Sequence, residues 1–243
     1  MAKNNDFLVD AHCHLDEIKG YTLSKQLLPV ATGHSHGSNR RTFEIAQELH
    51  LPFVLGISPQ AAQKEGTAHL EEWVAFIKEA KPHAIGEIGL DYHWAQNEED
   101  KKKQHIVFER MLELAEEMKL PIVIHARKAI TEVLDAVEKR KFKYGLMMHF
   151  FSGTKEEAGR VVELGGYISI VPLHSKERRN VINATPLEYL VAETDAPAVV
   201  RLPEEVEKSV AYIAEVKNID FSLAALATVQ NAKKMFRIEK WEI

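Results

Sequence analysis

Six residues of this sequence pair suitable side chains with a placement that suggests shared chemistry: His12, His14, Glu87, His125, His149 and Asp195. His12 and His14 close the run Val9-Asp10-Ala11-His12-Cys13-His14. On an extended strand, residues two apart face one side, so the two imidazoles could hold one metal ion. The bland alternative is two polar residues at a strand end. Glu87 stands in Ile85-Gly86-Glu87-Ile88-Gly89, where burying a carboxylate is expensive unless it is paired or metal-bound. It reads as a bridging ligand, or else as the partner of a neighbouring Lys or Arg. His125 ends the apolar run from Pro121, His149 ends the run from Leu146, and Asp195 follows Val191-Ala192-Glu193-Thr194. A lone histidine on such a strand is more often a satisfied core residue, but three strands ending the same way point to a shared site.

The chain has 12 histidines, and most lie outside this pattern. His50, His69, His83 and His105 fall in helical or helix-edge segments and read as surface residues. His34 and His36 follow Gly33 in a loop before a helix that starts near Ser38, and read as a decoy or a substrate contact. His174, in the loop after the seventh apolar run, is treated alike.

Short β-rich runs position the six residues: Phe7 to Val9, Leu28 to Ala31, Phe53 to Ile57, Ala84 to Ile88, Pro121 to Ile124, Leu146 to Met148, Tyr167 to Ile170 and Tyr189 to Ala192. Helical segments alternate with them. The clearest, Asp100 to Lys119, puts Val107, Met111, Leu114 and Met118 on one stripe and is closed by Pro121. Strand–helix alternation implies a parallel sheet. Eight such units, in a chain near the roughly 250 residues typical of a (β/α)8 TIM barrel, favour that α/β fold as one domain over 1–243. The six candidates then sit at the C-terminal strand ends, where barrel active sites gather.

A hydrophobic fraction of 45% and a charged fraction of 28% suit a globular domain with its own core. The net charge of −5 argues against a broad basic surface for nucleic acid, so any such substrate is held locally. A single cysteine, Cys13, excludes an internal disulfide framework and suits a reducing, cytoplasmic setting. No signal peptide, membrane span or obligatory protein partner is expected.

Five stretches resemble the TatD family of metal-dependent deoxyribonucleases, within the amidohydrolase-like barrels: Asp10-Ala11-His12-Cys13-His14-Leu15-Asp16, Gly86-Glu87-Ile88-Gly89-Leu90-Asp91-Tyr92, Leu120 to His125, His149-Phe150-Phe151-Ser152-Gly153 and Glu193-Thr194-Asp195-Ala196-Pro197. Asn231 to Phe236 is similar to the family's closing helix. The resemblance implies two divalent ions, Mg, Mn or Zn. His12 and His14 would hold one with Asp195, His125 and His149 the other, and Glu87 would bridge. It also implies DNA as substrate, with exonuclease action on single-stranded or damaged DNA. The sequence departs from the family in Gly56-Ile57-Ser58-Pro59, where a histidine usually stands at the position of Ser58, and in Val199 to Pro203 after the final acid.

Under that reading Glu87 and Asp195 are the catalytic carboxylates, with Asp195 taking a proton from the attacking water. Arg127 and the turn at Ser152 contact phosphate, and Tyr92, His93 and Trp94 offer faces to a base. The alternatives are a barrel hydrolase with the same metal pair acting on another ester or an amide, and a catalytically idle metal-binding scaffold.

Overall fold

The computed structural model describes residues 7–239. Its strands are β1 (Leu8–Cys13), β2 (Leu27–Thr32), β3 (Phe53–Leu55), β4 (Ala84–Asp91), β5 (Ile122–Arg127), β6 (Leu146–Met148), β7 (Tyr167–Ile170) and β8 (Leu190–Ala192). Each pairs in parallel with the next in sequence order. The ring closes beyond β8, where Cys13 bridges to Ala196 and the Asp195 N–H donates to the His12 carbonyl at 3.0 Å. This is the (β/α)8 barrel that strand–helix alternation predicts.

The helices are α1 (His36–Leu49), α2 (Pro59–Glu65), α3 (Leu70–Ala80), α4 (Glu98–Met118), α5 (Ile130–Arg140), α6 (Lys155–Glu163), α7 (Lys176–Ala184), α8 (Val206–Lys217) and α9 (Phe221–Met235). Caps set their starts. Ser35 accepts from the Ser38 N–H, so α1 begins at His36 rather than near Ser38, and Asn97 accepts from the Asp100 N–H, so α4 begins at Glu98 rather than Asp100. The expected α4 stripe is buried at Val107, Met111 and Leu114. Histidine 83 departs from expectation: it lies between α3 and β4, half-buried, with Nδ1 accepting from the Phe53 N–H. Among the described residues, no helix is long and apolar enough to cross a membrane.

Apolar side chains pack in two layers. Strand residues such as Ile85, Ile124 and Ile168 meet the surrounding helices, while Val9, Leu28, Val30, Val54, Val123, Met147 and Val191 fill the interior. Val229, Ala232, Met235 and Phe236 of the α9 region join the interior cluster. Arg237 fixes this segment where strands begin, donating to the carbonyls of Lys119 and Tyr144. With that end filled, the opposite end is left for polar groups.

Two irregularities matter for the site. Asp10 and Cys13 of β1 face Pro29 and Ala31 of β2, and Ile85 and Ile88 of β4 face Ile122 and Ile124 of β5. In each case the first strand carries one residue more than its partner, which is a bulge. The first contains Ala11 and His12 and comes just before His14; the second contains Glu87.

Candidate metal centre

Strict alternation would leave His12 on the face opposite Ala11, which belongs to the interior cluster; the β1 bulge turns the imidazole inward instead. His12 and His14 then share a face, as their spacing predicts, with their Nε2 atoms 3.3 Å apart. On β5 the interior positions run Val123, His125, Arg127, and His149 continues the line of Met147 from β6. Asp195 lies beyond β8 with φ 52°, a left-handed conformation that aspartate tolerates better than most residues. It is held there by its N–H to His12 and by its carbonyl, which accepts from Ala198 and Val199.

All six residues predicted from sequence converge on this mouth. Asp195 Oδ1 is 3.5 Å from His14 Nε2, 3.8 Å from His12 Nε2 and 3.9 Å from His149 Nε2. Glu87 Oε2 is 3.8 Å from His14 Nε2 and 3.9 Å from His12 Nε2. These separations exceed a hydrogen bond. They match the spacing of about 3.4 Å between donors that each sit about 2.1 Å from one tetrahedral cation. Donor atoms of His12, Glu87 and His149, and of His12, His14 and Asp195, lie within 4.8 Å of one another, and all five residues are buried. A mixed imidazole–carboxylate set that encloses such a gap fits a divalent ion. His125 joins through Glu87, whose Oε1 lies 2.7 Å from His125 Nδ1.

Burial and neighbouring charge divide the histidines. Burial, then the adjacent His149 and His14, pushes His12 well below the usual imidazole range, so this ring is neutral. For His14 burial acts downward, but Asp195 and Glu87 overcome it and raise the ring to about 9. His125 likewise resists burial, with Asp91 and Glu87 lifting it to about 10. His149 is raised by Glu193 and Asp195 against burial. Glu87 stays well below the ordinary carboxylate range despite its burial, chiefly because of His125.

A supporting layer of residues outside the six lies behind them. Asp91 Oδ2 is 2.8 Å from His125 Nε2 and accepts from Gln60 at 3.0 Å. Glu193 Oε1 accepts from the Phe150 N–H at 2.7 Å and lies 3.0 Å from His149 Nδ1. The Thr32 carbonyl is 2.9 Å from His14 Nδ1. Asp10 accepts from Thr194 N–H at 2.8 Å, from its hydroxyl at 2.5 Å and from the His12 N–H at 3.3 Å. Burial raises the Asp10 carboxyl against these donors. The available signal was proximity in sequence: each of these carboxylates stands two or four residues from a candidate ligand on the same strand end.

A cavity of about 570 Å³ opens over the centre, lined among others by Glu17, His34, Ser58, Arg127, Phe150 and Ser152. Arg127 and Ser152 therefore reach the mouth. Tyr92 does not line it: its hydroxyl lies 2.7 Å from His105 Nε2, so the ring is turned toward α4. Ser58 is buried and its hydroxyl caps α2 by accepting from the Ala61 N–H. Of the histidines outside the set, His34 lines the cavity with Nε2 2.9 Å from Glu17, while His36 stacks near Trp73 and His174 stacks on Tyr212.

Comparison with known proteins agrees with this geometry. The family described as TatD related DNase matches residues 9–237. The chain is 30% identical to the Uncharacterized metal-dependent hydrolase YabD of Bacillus subtilis, over 95% of this chain and 99% of that protein. It is 27% identical to human Deoxyribonuclease TATDN3, over 94% of each chain. In fold it is similar to the crystal structure of YJJV, a TatD homolog from Escherichia coli, with a TM-score of 0.82 and 24% identity over 95% of this chain and 98% of that one. Because the family match begins inside β1 and ends beyond α9, taking in every strand of the barrel, the chain belongs to the TatD-related DNase family and is one of its metal-dependent hydrolases.

Proposed function

We propose that this protein is a deoxyribonuclease that hydrolyses phosphodiester bonds with two divalent ions. The observation that carries the reading is the convergence of His12 Nε2, His14 Nε2 and Asp195 Oδ1 on one gap, with Glu87 beside it and His125 against Glu87. His12, His14 and Asp195 would hold one ion, His125 and His149 the other, and Glu87 would bridge. The ions, when bound, would polarise the phosphodiester and acidify a water for attack.

The chain's own groups do the rest. Asp195 orients the water and takes its proton, and its fixed left-handed backbone keeps the carboxylate at the mouth. Glu193 and Asp91 hold His149 and His125 from behind, fixing ring orientation. Arg127 and Ser152 reach the cavity and would contact the phosphate. Support for DNA as substrate comes from the family's description and from the name of the human relative.

A second reading, hydrolysis of another ester or of an amide at the same centre, is favoured by Ser58, whose hydroxyl is taken up by the α2 cap. One assay separates them. Purified protein is incubated with a labelled single-stranded oligonucleotide and Mg or Mn, beside chelator-treated protein and the Asp195→Asn variant. Shortening that disappears in both controls supports the nuclease. Metal-loaded protein that leaves DNA intact removes it and turns the search to other esters and amides.

A further inference from the structure

His14, His125 and His149 each have an oxygen behind the ring, and the one behind His149 is the most demanding to keep there. Glu193 is fully buried, and its Oε1 alone is engaged, with the Phe150 N–H at 2.7 Å and His149 Nδ1 at 3.0 Å. Its Oε2 is buried and has no hydrogen-bond partner among the described residues. Asp91, behind His125, is better served: Gln60 donates to one oxygen and the N–H groups of His93 and Trp94 to the other. A buried carboxylate with as few donors as Glu193 requires a countercharge nearby.

Arg178, in the first turn of α7, supplies one: its guanidinium and the Glu193 carboxylate attract each other. The guanidinium carbon lies 5.6 Å from the centre of the Phe150 ring, and Nη1 donates to the Leu173 carbonyl at 2.6 Å. The Arg178 N–H donates to the Ser175 hydroxyl at 3.0 Å, so backbone and side chain are both tied to the loop that follows β7. Its Nε is buried and, like Glu193 Oε2, has no hydrogen-bond partner among the described residues. Burial lowers the guanidinium from its ordinary value, and Tyr212 and Glu193 oppose this; arginine keeps its charge in proteins. Two opposite charges, each with one buried atom free of other partners, therefore answer each other.

Phe150 makes the second connection. It lines the catalytic cavity, holds a left-handed φ of 44° and gives its N–H to Glu193, while its ring packs against Arg178. Arg178 does not line that cavity, so any effect it has on the centre passes through Glu193 and Phe150. We propose that Arg178 is a positioning residue for the metal centre: its charge and its contact with Phe150 hold Glu193 on His149 Nδ1, which aims Nε2 of that ring at its ion. Fixing the far nitrogen of a metal-bound imidazole in this way sets the orientation of the ligand. The proposal rests on the reading of His149 as a metal ligand, whatever the substrate is.

A guanidinium that only pins the loop and one that acts through Glu193 differ in a double-mutant cycle. The test uses the full chain as wild type, Arg178→Met, Arg178→Lys, Glu193→Gln and the double variant Arg178→Met with Glu193→Gln. Equilibrium dialysis reads Mn affinity, and melting of the chelator-treated proteins reads folding. Arg178→Met should weaken one bound Mn by about tenfold, the low end for groups that support a metal ligand, and Arg178→Lys should recover most of that loss. In the Glu193→Gln background Arg178→Met should have little further effect, because the charge it serves is gone. Should Arg178→Met fail to fold, the same cycle is run with Arg178→Gln. Unchanged Mn affinity in the arginine variant, or an equal loss in both backgrounds, overturns the positioning role and leaves Arg178 to the loop. A wild type that binds no Mn removes the metal centre and the proposal with it. Coupled losses in a protein that cleaves no phosphodiester would keep the proposal and remove the nuclease.

Discussion

Asp91 stands behind His125: its Oδ2 lies 2.8 Å from Nε2 while the opposite ring nitrogen meets Glu87 at 2.7 Å. The imidazole is therefore held between two carboxylates, one deep and one at the cavity, and its orientation is decided before any ion arrives. A carboxylate in this position both fixes the tautomer and raises the basicity of the ligand.

Replacing Asp91 by Asn should therefore weaken metal binding by about 10- to 100-fold while leaving the barrel folded. Equilibrium dialysis followed by elemental analysis, with circular dichroism as the fold control, checks this. An affinity equal to wild type would show that the rear carboxylate does not tune the centre.

Gly89 sits on β4 at φ +144°, and a Cβ there would lie 1.9 Å from the His125 carbonyl oxygen. No side-chain rotation relieves a clash with backbone. Gly89→Ala should cost at least about 2 kcal/mol, from backbone strain and the forced separation of β4 from β5. Urea denaturation would read the loss, and an unaltered midpoint would contradict the close approach.

For chelator-treated protein the pH dependence has a definite sign. His125 and His14 are raised to about 10 and about 9 in the fold, above the ordinary imidazole value of 6.5. Their contribution to stability is complete below that value and is lost as pH climbs through 9 to 10. Glu87 is held below its ordinary 4.5, so its contribution is present above that value and lost as pH falls through its lowered range. Metal-free melting temperature should therefore decline between pH 7 and 10, and a flat or rising profile would refute the assignment. By the same protons, loading the metal near pH 7.5 should release protons, measurable by calorimetry in buffers of different ionisation heat.

Glu193 links His149 to the turn that carries Phe150, whose φ is also positive, at 44°. Glu193→Gln should keep the Phe150 contact yet remove the charge beside His149. The expected outcome is a lower kcat with a smaller change in melting temperature. A Tm drop with full kcat in the surviving protein would assign Glu193 to the fold alone.

Much of the site was legible because barrel geometry converts sequence position into spatial position. Each of His125, His149 and Asp195 follows an apolar run, and the ends of such runs meet at one mouth. The bulges were not legible: alternation places His12 and His14 together but does not say that an extra residue turns His12 away from the face expected from Ala11. The roles of Asp10, Asp91 and Glu193 were hidden for a related reason, since a carboxylate on a strand end reads the same whether it faces the gap or a histidine behind it. The position of Tyr92 after β4 suggests a base contact, and only the approach of its hydroxyl to His105 shows where its ring goes.

The most direct test of the metal centre is stoichiometry. Purified protein, stripped and reloaded with Mn, is measured for ions per chain beside His12→Ala, Glu87→Ala and His125→Ala, with folding verified by melting. The account predicts two ions per chain in the wild type, with His12→Ala and His125→Ala each losing one and Glu87→Ala weakening both. A wild-type chain that binds no ion, or variants that bind as the wild type does, would contradict it.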